Sequence, residues 1–272
     1  MPLIDHLLAS PRLKQTIWRF WYPFLTRRLR AEDVLFLNYA FEDPAISPAL
    51  DPSDEPHRAC IQLYHHVATL SGETLSGREV LEVSCGHGGG ASYLKRTFRP
   101  RHYTGLDLNP AAIAFCRERH RMDGLTFRRG DALQLPFGDH TFDFVLNVEA
   151  SHCYPTLSVF FAEVARVLRP GGCFLYADFR FRSAIAEWER DLASAPLERL
   201  AEREINAEVL RGLDRNSDRS LRLIVRHLPR FLESLGRDFA AVKGSRVYHA
   251  VQHRELSYRS YCFRKPLHCA AS

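Results

Sequence analysis

Residues 78–90, REVLEVSCGHGGG, carry the pattern that decides the fold. The first six residues form a short apolar run typical of a buried β-strand. The small residues after it allow a backbone to approach a ligand closely. A helix predicted over 89–98 opens on glycine and alanine, so its unpaired N–H groups face whatever the turn binds. The stretch therefore predicts a strand, a ligand-binding turn and a helix in direct succession.

The chain continues this alternation of strands and helices. Further strands are predicted over 102–107, 125–129, 142–147 and 173–178, and helices over 110–120 and 157–168. Asn109-Pro110 is a helix-start signal, and the run Arg169-Pro170-Gly171-Gly172 is typical of a helix end. Strands separated by helices of this length predict an α/β, doubly wound, mostly parallel Rossmann-like sheet.

The flanking regions have a different character. Residues 1–75 are expected to form an N-terminal helical segment or lid, and residues 76–272 the main domain. Within that domain, residues 183–235 have a helical composition and are predicted to form a helical cap. Two β-rich pieces, 238–249 and 255–264, are predicted to pair as an antiparallel hairpin at the edge of the sheet.

Composition limits the class of protein. The 272 residues are 46% apolar, which suffices for one large core, and no uncharged apolar run is long enough to span a bilayer. Seven cysteines, an odd number without a C-x-x-C pair, favour a reducing compartment over a disulfide scaffold. We therefore expect a cytoplasmic protein.

The N-terminal segment combines basic and aromatic residues. Six basic residues and no acidic one lie between Arg12 and Arg30, interleaved with aromatic residues that include Trp21 and Tyr22. Such a segment can cover an apolar pocket, rest on a membrane surface or pack as an ordinary helix with a solvated basic face. Trp21 and Tyr22 are candidate substrate contacts. Binding to nucleic acid is not expected, and any membrane contact is expected to be peripheral.

Three carboxylates follow three successive predicted strands. Glu82 is placed to accept from an ammonium group, Asp107 from ribose hydroxyls, and Asp131 from the exocyclic amine of an adenine. Together with the glycine turn, this arrangement suits a nucleoside that carries an amino acid. Considered one at a time, Asp107 is also consistent with a helix cap and Asp131 with an ordinary turn residue.

The remaining candidates for nucleoside contacts are Ser84, Gly86, Gly88, Leu108 and Ala132, which lie in the same turns, and Asn147, which ends the fourth predicted strand. Because Gly86-x-Gly88-x-x-Ala91 also satisfies a loose dinucleotide fingerprint, a dehydrogenase is a rival interpretation. Against it, Glu82 would face a pyrophosphate, which is unfavourable for two negative groups.

These motifs resemble those of class I S-adenosylmethionine-dependent methyltransferases. The resemblance rests on Glu82 to Gly90, Asp107, Gly130-Asp131-Ala132 and the run 168–172, and it departs from the usual pattern at Ser84, where the family most often has glycine. The stretches VLEVSCGHGGGASYL, YTGLDLN, LNVEASHCYP and ELSYRSYCF resemble, more narrowly, the mycobacterial phthiotriol/phenolphthiotriol dimycocerosates methyltransferases and related methyltransferases of glycopeptidolipids and polyketides. The resemblance implies a seven-stranded sheet, S-adenosylmethionine as cofactor, and O-methylation of a hydrophobic lipid or polyketide hydroxyl.

An alcohol acceptor needs a base, and His152 is the first candidate. It follows the fourth predicted strand, at the edge where open α/β sheets bind ligands, and histidine titrates near neutrality. Glu149 is expected to orient His152, to act as the base itself or to bond the backbone side of the cofactor, and Tyr154 is a candidate substrate contact. We expect no metal site. Carbon or nitrogen methylation, a non-methylating cofactor-binding protein such as a cyclase or a regulatory subunit, and a homodimer remain open from the sequence.

Overall fold

A seven-stranded mixed sheet forms the centre of the computed structural model, which describes residues 34–267. Its strands are β1 (Glu79–Val83), β2 (His102–Asp107), β3 (Leu125–Arg129), β4 (Phe142–Val148), β5 (Leu168–Phe181), β6 (Glu198–Glu204) and β7 (Leu256–Arg264). Their order is β3-β2-β1-β4-β5-β7-β6. The first five are parallel neighbours, whereas β7 is antiparallel to both β5 and β6. The predicted mostly parallel Rossmann-like sheet is confirmed.

Helices connect the strands and cover the sheet. They are α1 (Arg58–Ala68), α2 (Gly89–Phe98), α3 (Pro110–Arg119), α4 (Leu157–Val167), α5 (Arg182–Ser194), α6 (Asn206–His227), α7 (Glu233–Phe239) and α8 (Arg246–Gln252). The start of α3 follows its sequence signal, since the Asn109 side chain accepts from the backbone N–H of Ala111 and Pro110 occupies the first turn. No helix within residues 34–267 has both the length and the apolarity to cross a membrane.

The core lies on both faces of the sheet. Alternate residues of one strand belong to different apolar clusters: in β5, Leu175 and Ala177 face one cluster, while Phe174 and Tyr176 face the other. This alternation follows from the two-residue side-chain period of a strand. Because parallel strands are covered on both faces, they appear in the sequence as nearly continuous apolar runs.

The antiparallel edge is formed by a different segment from the one predicted. Residues 238–249 were predicted to be β-rich, but they contain the end of α7 and the start of α8, so this prediction is wrong. Ser245 caps α8 by accepting from the N–H of Tyr248, and Tyr248 and Val251 are buried at helical spacing. The β-branched and aromatic residues that suggested a strand are therefore those of a buried helix face.

The partner of β7 is β6, which lies inside the region predicted to be a helical cap. Residues 183–235 thus contribute a sheet strand as well as helices. The sequence of β6, ERLAERE, is exposed at every position. An exposed edge strand held by backbone pairing and by ion pairs such as Glu202–Arg259 needs no apolar alternation, which explains why its pattern gave no strand signal.

The strand order reverses between β1 and β4. At such a point the connections leave toward opposite sides and open a crevice at the carboxyl ends of the strands. The turns that follow β1, β2 and β4 all emerge at this edge. The candidate residues in and beside these turns are thus collected at one edge of the sheet.

Candidate active site

The glycine turn after β1 is tightly constrained. Gly88 precedes α2 with a φ of +75°, and a Cβ there would lie 2.9 Å from the His120 ring. Both facts favour glycine at this position. A Cβ on Gly89 would lie 2.5 Å from the carbonyl oxygen of Leu35, which accepts from the Gly89 N–H at 3.1 Å. Residues 34–41, here called the covering segment, thus lie directly against the glycine turn.

Glu82 lies below this turn rather than in it. Its side chain is 1% exposed and accepts from the hydroxyls of Tyr64 (3.0 Å) and Tyr103 (2.8 Å). Burial raises the pKa of this carboxyl to about 7. The carboxylate therefore ties β1 to α1 and β2, and its contact with an ammonium group stays a prediction.

Asp107 ends β2 and supports the turn. Its carboxylate accepts from the N–H of Gly86 (2.9 Å) and of Asn109 (2.8 Å). Burial raises its pKa to about 6. The backbone N–H of Leu108 also bonds to this carboxylate, and since a carboxylate has about four acceptor positions, acceptor capacity remains for a ligand hydroxyl. The helix cap of α3 is Asn109, which leaves Asp107 available for the role predicted from the sequence.

The turn after β3 carries the candidates for the base of the nucleoside. Asp131 is exposed, and its Oδ1 accepts from the N–H of Leu133 at 2.9 Å. Ala132 is buried beside it, while Leu108 from the neighbouring turn is 50% exposed. An exposed leucine next to a carboxylate turn is a surface on which a planar base can pack.

Asn147 links the ends of β1 and β4. Its Nδ2 donates to the carbonyl of Val83 (2.9 Å) and to the hydroxyl of Tyr154 (3.0 Å), which also lies 2.6 Å from Ser84 Oγ. Among the described residues, the buried Oδ1 of Asn147 has no hydrogen-bond partner. An unsatisfied buried acceptor costs free energy, so this oxygen marks where a ligand can donate a hydrogen bond. Tyr154, predicted as a substrate contact, is held here by Ser84 and Asn147.

His152 is held by a residue that sequence reasoning missed. Its Nδ1 lies 2.9 Å from Asp178 Oδ1, and its backbone N–H donates to Asp178 Oδ2 at 2.9 Å. Asp178 is fully buried at the end of the parallel part of β5. With Nδ1 bonded to a carboxylate, Nε2 is the ring nitrogen left for chemistry. The available signal was the acidic residue ending the apolar run CFLYAD, as Asp107 ends β2.

Charge controls the protonation of this pair. Burial by itself would lower the pKa of His152, but the charges of Cys153 and Asp178 outweigh it and raise the pKa to about 10. Burial would likewise raise the pKa of Asp178, but His152 and Arg180 hold it well below its usual range. Asp178 also accepts from Ser151 Oγ at 2.6 Å. The carboxylate is therefore a fixed negative charge that favours the imidazolium.

Glu149 does not make the bond to His152 that was one of its predicted roles. Its Oε2 accepts from the backbone N–H of Tyr39 (2.7 Å) and from the hydroxyl of Tyr258 (2.9 Å). Burial raises its pKa to about 8. Glu149 thus fastens the covering segment to the sheet edge, and the orienting residue is Asp178. The reason is direction: Glu149 has a positive φ of 53°, whereas Asp178 lies on the neighbouring strand beside His152.

Three rings form a stack beside this pair. The His152 ring lies 4.3 Å from the Phe179 ring, centroid to centroid, and the Tyr39 ring stacks on Phe179 at 5.5 Å with an interplanar angle of 9°. Phe179 and Tyr39 were not predicted as site residues. The stack places an apolar surface next to Nε2, where a hydrophobic acceptor can lie.

A cavity of about 140 Å³ opens from the same region. It lies between the covering segment, α6 and α7, and its walls are mostly apolar. Its lining includes Phe36, Leu37, Asn38, Tyr39, Cys60, Leu213, Arg219, Leu223, Ile224, Leu228, Phe239 and Ala240. Tyr39 belongs both to the cavity wall and to the stack on Phe179, so the stack connects the cavity wall to His152. Trp21 and Tyr22, predicted as substrate contacts, lie outside the described residues.

Two histidines lie close together at the end of α8. His249 is in the last turn and His253 is the C-cap residue, with ring centroids 5.9 Å apart. Within residues 34–267, however, no group of three or more histidine, cysteine, aspartate or glutamate side chains is arranged to hold a metal ion.

Comparisons with known proteins agree with this geometry. Residues 81–176 match the family model described as a methyltransferase domain. A phthiotriol/phenolphthiotriol dimycocerosates methyltransferase from Mycobacterium tuberculosis is 57% identical over 258 residues, covering 94% of this chain and 95% of that protein. A fatty-acid O-methyltransferase from Mycolicibacterium smegmatis is 51% identical, covering 94% and 92%.

Solved structures share the fold at lower identity. The [4+2]-cyclase SpnF superposes with a TM-score of 0.71 at 19% identity, covering 94% of this chain and 97% of that one. At this identity the likeness concerns the fold alone. The sequence relatives carry the assignment, because they are similar over almost their whole length. The chain belongs to the family of S-adenosylmethionine-dependent methyltransferases.

Proposed function

We propose that this enzyme transfers a methyl group to a hydroxyl of a hydrophobic lipid or polyketide-type molecule. The observation that carries the proposal is the His152–Asp178 pair, whose histidine ring ends an aromatic stack that reaches the wall of an apolar cavity through Tyr39. The pair provides a base for an alcohol, and the cavity provides room for a hydrocarbon chain. The names of two relatives, a dimycocerosates and a fatty-acid methyltransferase, are consistent with a lipid acceptor.

The residues present fit S-adenosylmethionine. Asp107 keeps acceptor capacity for a ribose hydroxyl, Asp131 and Leu108 suit the adenine, and the unpaired Asn147 Oδ1 suits a donor on the amino-acid part. When bound, the cofactor supplies an electrophilic methyl carbon on a sulfonium. Glu82, Ser84, Gly86, Gly88 and Ala132 complete the proposed cofactor site.

His152 activates the acceptor in this proposal. Nε2 takes the proton of the hydroxyl as the oxygen attacks, and Asp178 stabilises the resulting imidazolium through Nδ1. A base of this kind contributes about 10²- to 10⁴-fold to the rate. Positioning contributes separately, since holding the acceptor oxygen close to the methyl carbon removes about 7–11 kcal/mol of barrier. Glu149 is the second candidate base, in the carboxylate form that becomes abundant as the pH rises toward its pKa of about 8.

The covering segment and the helices after β5 enclose the acceptor. A cavity of comparable volume in another protein binds benzene, so 140 Å³ suffices for part of an alkyl chain. Asn38 lines this cavity, and its Oδ1 is buried without a partner among residues 34–267. This oxygen can accept a hydrogen bond from a second hydroxyl on the acceptor molecule. We accordingly propose that residues 1–75 act as a lid, and that the helices of 183–235 act as a cap over the acceptor.

The proposal also covers the cellular compartment and the binding partners of the enzyme. All cysteines within residues 34–267 are free, which suits a reducing compartment, and we propose a cytoplasmic enzyme. Its partner is a hydrophobic small molecule or lipid, without a role for nucleic acid. A homodimer is compatible with this arrangement.

The test is methyl transfer by His152→Ala. Turnover with a long-chain secondary alcohol should fall by about 10²- to 10⁴-fold while cofactor affinity is kept. The matched control is His102→Ala, which removes an exposed histidine at the opposite end of the sheet and should leave turnover unchanged. Release of S-adenosylhomocysteine and mass spectrometry of the lipid measure both variants. Unchanged turnover of His152→Ala would exclude His152 as the general base.

The same experiment separates the other acceptors. A fatty-acid carboxylate is already nucleophilic, as is an amine, so either would be methylated by His152→Ala at close to the wild-type rate. A long-chain fatty acid therefore serves as the second substrate in every assay. A protein that shapes its ligand without methylating it would release no S-adenosylhomocysteine with any acceptor.

A further inference from the structure

The corner between α6 and α7 exposes large apolar side chains. Phe231 is 82% exposed, Val225 is 60% exposed and Leu235 is 40% exposed. All three lie within eleven residues, on the end of α6, on the 3-10 turn Arg230–Leu232 and on α7. Single exposed apolar residues are ordinary, but three in one corner form a surface that calls for an explanation.

Basic residues surround this apolar surface. Arg222, Arg226, Arg230 and Arg237 are all exposed, while Glu233 is the one acidic residue between positions 222 and 237. Within the described residues, no ion pair involves Arg222, Arg230 or Arg237. No carboxylate in the described part of the chain neutralises these three charges. The corner, here called the α6–α7 corner (residues 222–237), combines an apolar centre with a basic rim.

The inner side of the same corner forms the wall of the acceptor cavity. Ile224, Leu228 and Gly236 line the cavity, and Ile224 and Gly236 each lie next to an exposed member of the corner in the chain. The packing there is close: a Cβ on Gly236 would lie 2.5 Å from the Leu228 side chain. The same stretch of chain therefore supplies both the exposed surface and part of the wall of the space proposed for the hydrocarbon chain.

We propose that the α6–α7 corner docks on the surface of an anionic lipid bilayer. Phe231, Val225 and Leu235 enter the boundary between headgroups and acyl chains, and the arginines contact anionic headgroups. Arginine side chains suit this position because their apolar stems can be buried while the guanidinium stays at the interface. The acceptor chain then reaches the cavity through the corner without crossing water. This last step rests on the proposed function, whereas the docking itself does not.

Vesicle binding by the full chain tests the surface directly. Sedimentation compares vesicles of phosphatidylglycerol and phosphatidylcholine with vesicles of phosphatidylcholine alone. Replacing Arg222 and Arg230 with glutamine should weaken partitioning to the anionic vesicles about thirtyfold. Phe231→Asp should weaken it at least about tenfold, because an aromatic side chain no longer enters the interface.

The matched controls make the same changes of charge and polarity at exposed residues outside the α6–α7 corner. Arg78→Gln with Arg121→Gln removes two exposed arginines, and Leu267→Asp alters a leucine that is 70% exposed. These controls should bind vesicles as the wild type does. All variants should methylate a short, water-dispersed acceptor at the wild-type rate, since none lines the cavity or the catalytic pair.

Vesicle binding by the wild type and the variants decides whether the α6–α7 corner docks on an anionic bilayer. Loss of binding in the corner variants alone supports the proposal. Wild-type protein that ignores anionic vesicles, binds neutral vesicles equally well, or keeps its affinity in both corner variants overturns it. Vesicle binding is measured without turnover, so failure of the methyltransferase proposal would be seen separately, as absence of methyl transfer to any acceptor.

Discussion

Replacing Asp178 with asparagine removes the charge behind His152 while nearly keeping the shape of the side chain. The Asp178 carboxylate lies 2.9 Å from His152 Nδ1 and favours the imidazolium. In the wild type, the neutral imidazole becomes more abundant as the pH rises toward the His152 pKa of about 10. We therefore expect kcat/KM of the wild-type enzyme to rise with pH over the neutral and alkaline range.

The size of the effect follows from the geometry. A unit charge about 4 Å away contributes about 4 kcal/mol at an effective dielectric constant of about 20. Since about 1.36 kcal/mol corresponds to one pKa unit, the largest displacement is about three pH units. The rising limb of Asp178→Asn should therefore move to lower pH by about one to three units. Its plateau should fall about 10²- to 10⁴-fold, because the imidazole is no longer held in position.

The assay is the initial rate of methyl transfer to a long-chain alcohol as a function of pH. Asp143→Asn is the control, because Asp143 lies at the opposite end of the sheet, where it binds Arg169; its pH profile should match the wild type. Asp178→Asn also leaves Arg180 with a weaker partner, so thermal unfolding must confirm a folded variant. If Asp178→Asn does not fold, His152→Gln is the second variant to be measured. A rising limb at the wild-type position, with an unchanged plateau, would refute the reasoning.

Three further predictions concern the cofactor, the acceptor and stability. Asp107→Ala should weaken cofactor binding about 10- to 100-fold by calorimetry, because a carboxylate that supports the turn and is proposed to hold the ribose is lost; equal affinity would contradict this. Ala240→Phe should fill part of the cavity and raise KM for long-chain acceptors while leaving short ones unaffected; equal effects on both would contradict the proposed chain site. Glu149 has a folded-state pKa of about 8, above its unfolded value, so its contribution to stability is complete below about pH 4.5 and is lost as the pH rises toward 8. Glu149→Gln should therefore reduce the fall in unfolding free energy between these pH values by up to about 4 kcal/mol, as measured by urea denaturation.

Much of the fold could be predicted because its signals are local. The run 78–83, the cap at Asn109 and the end of α4 before the Arg169-Pro170 run each depend on a few consecutive residues. The carboxylates after β1 and β2 could be placed at one edge because parallel strands end together. The segment 238–249 was misassigned for the opposite reason: its apolar residues suit a strand or a buried helix, and only their packing distinguishes the two.

The amino-acid sequence by itself determined the alternation of strands and helices, the glycine turn and the edge at which acidic residues collect. The tertiary structure alone decided that Asp178, 26 residues away, rather than the nearby Glu149, holds His152. It also decided that β6 pairs with β7, and that residues 34–41 lie across the site. The physical reason is that such contacts join residues distant in the chain. Strand register and side-chain packing select them, and neither is encoded in a short stretch of sequence.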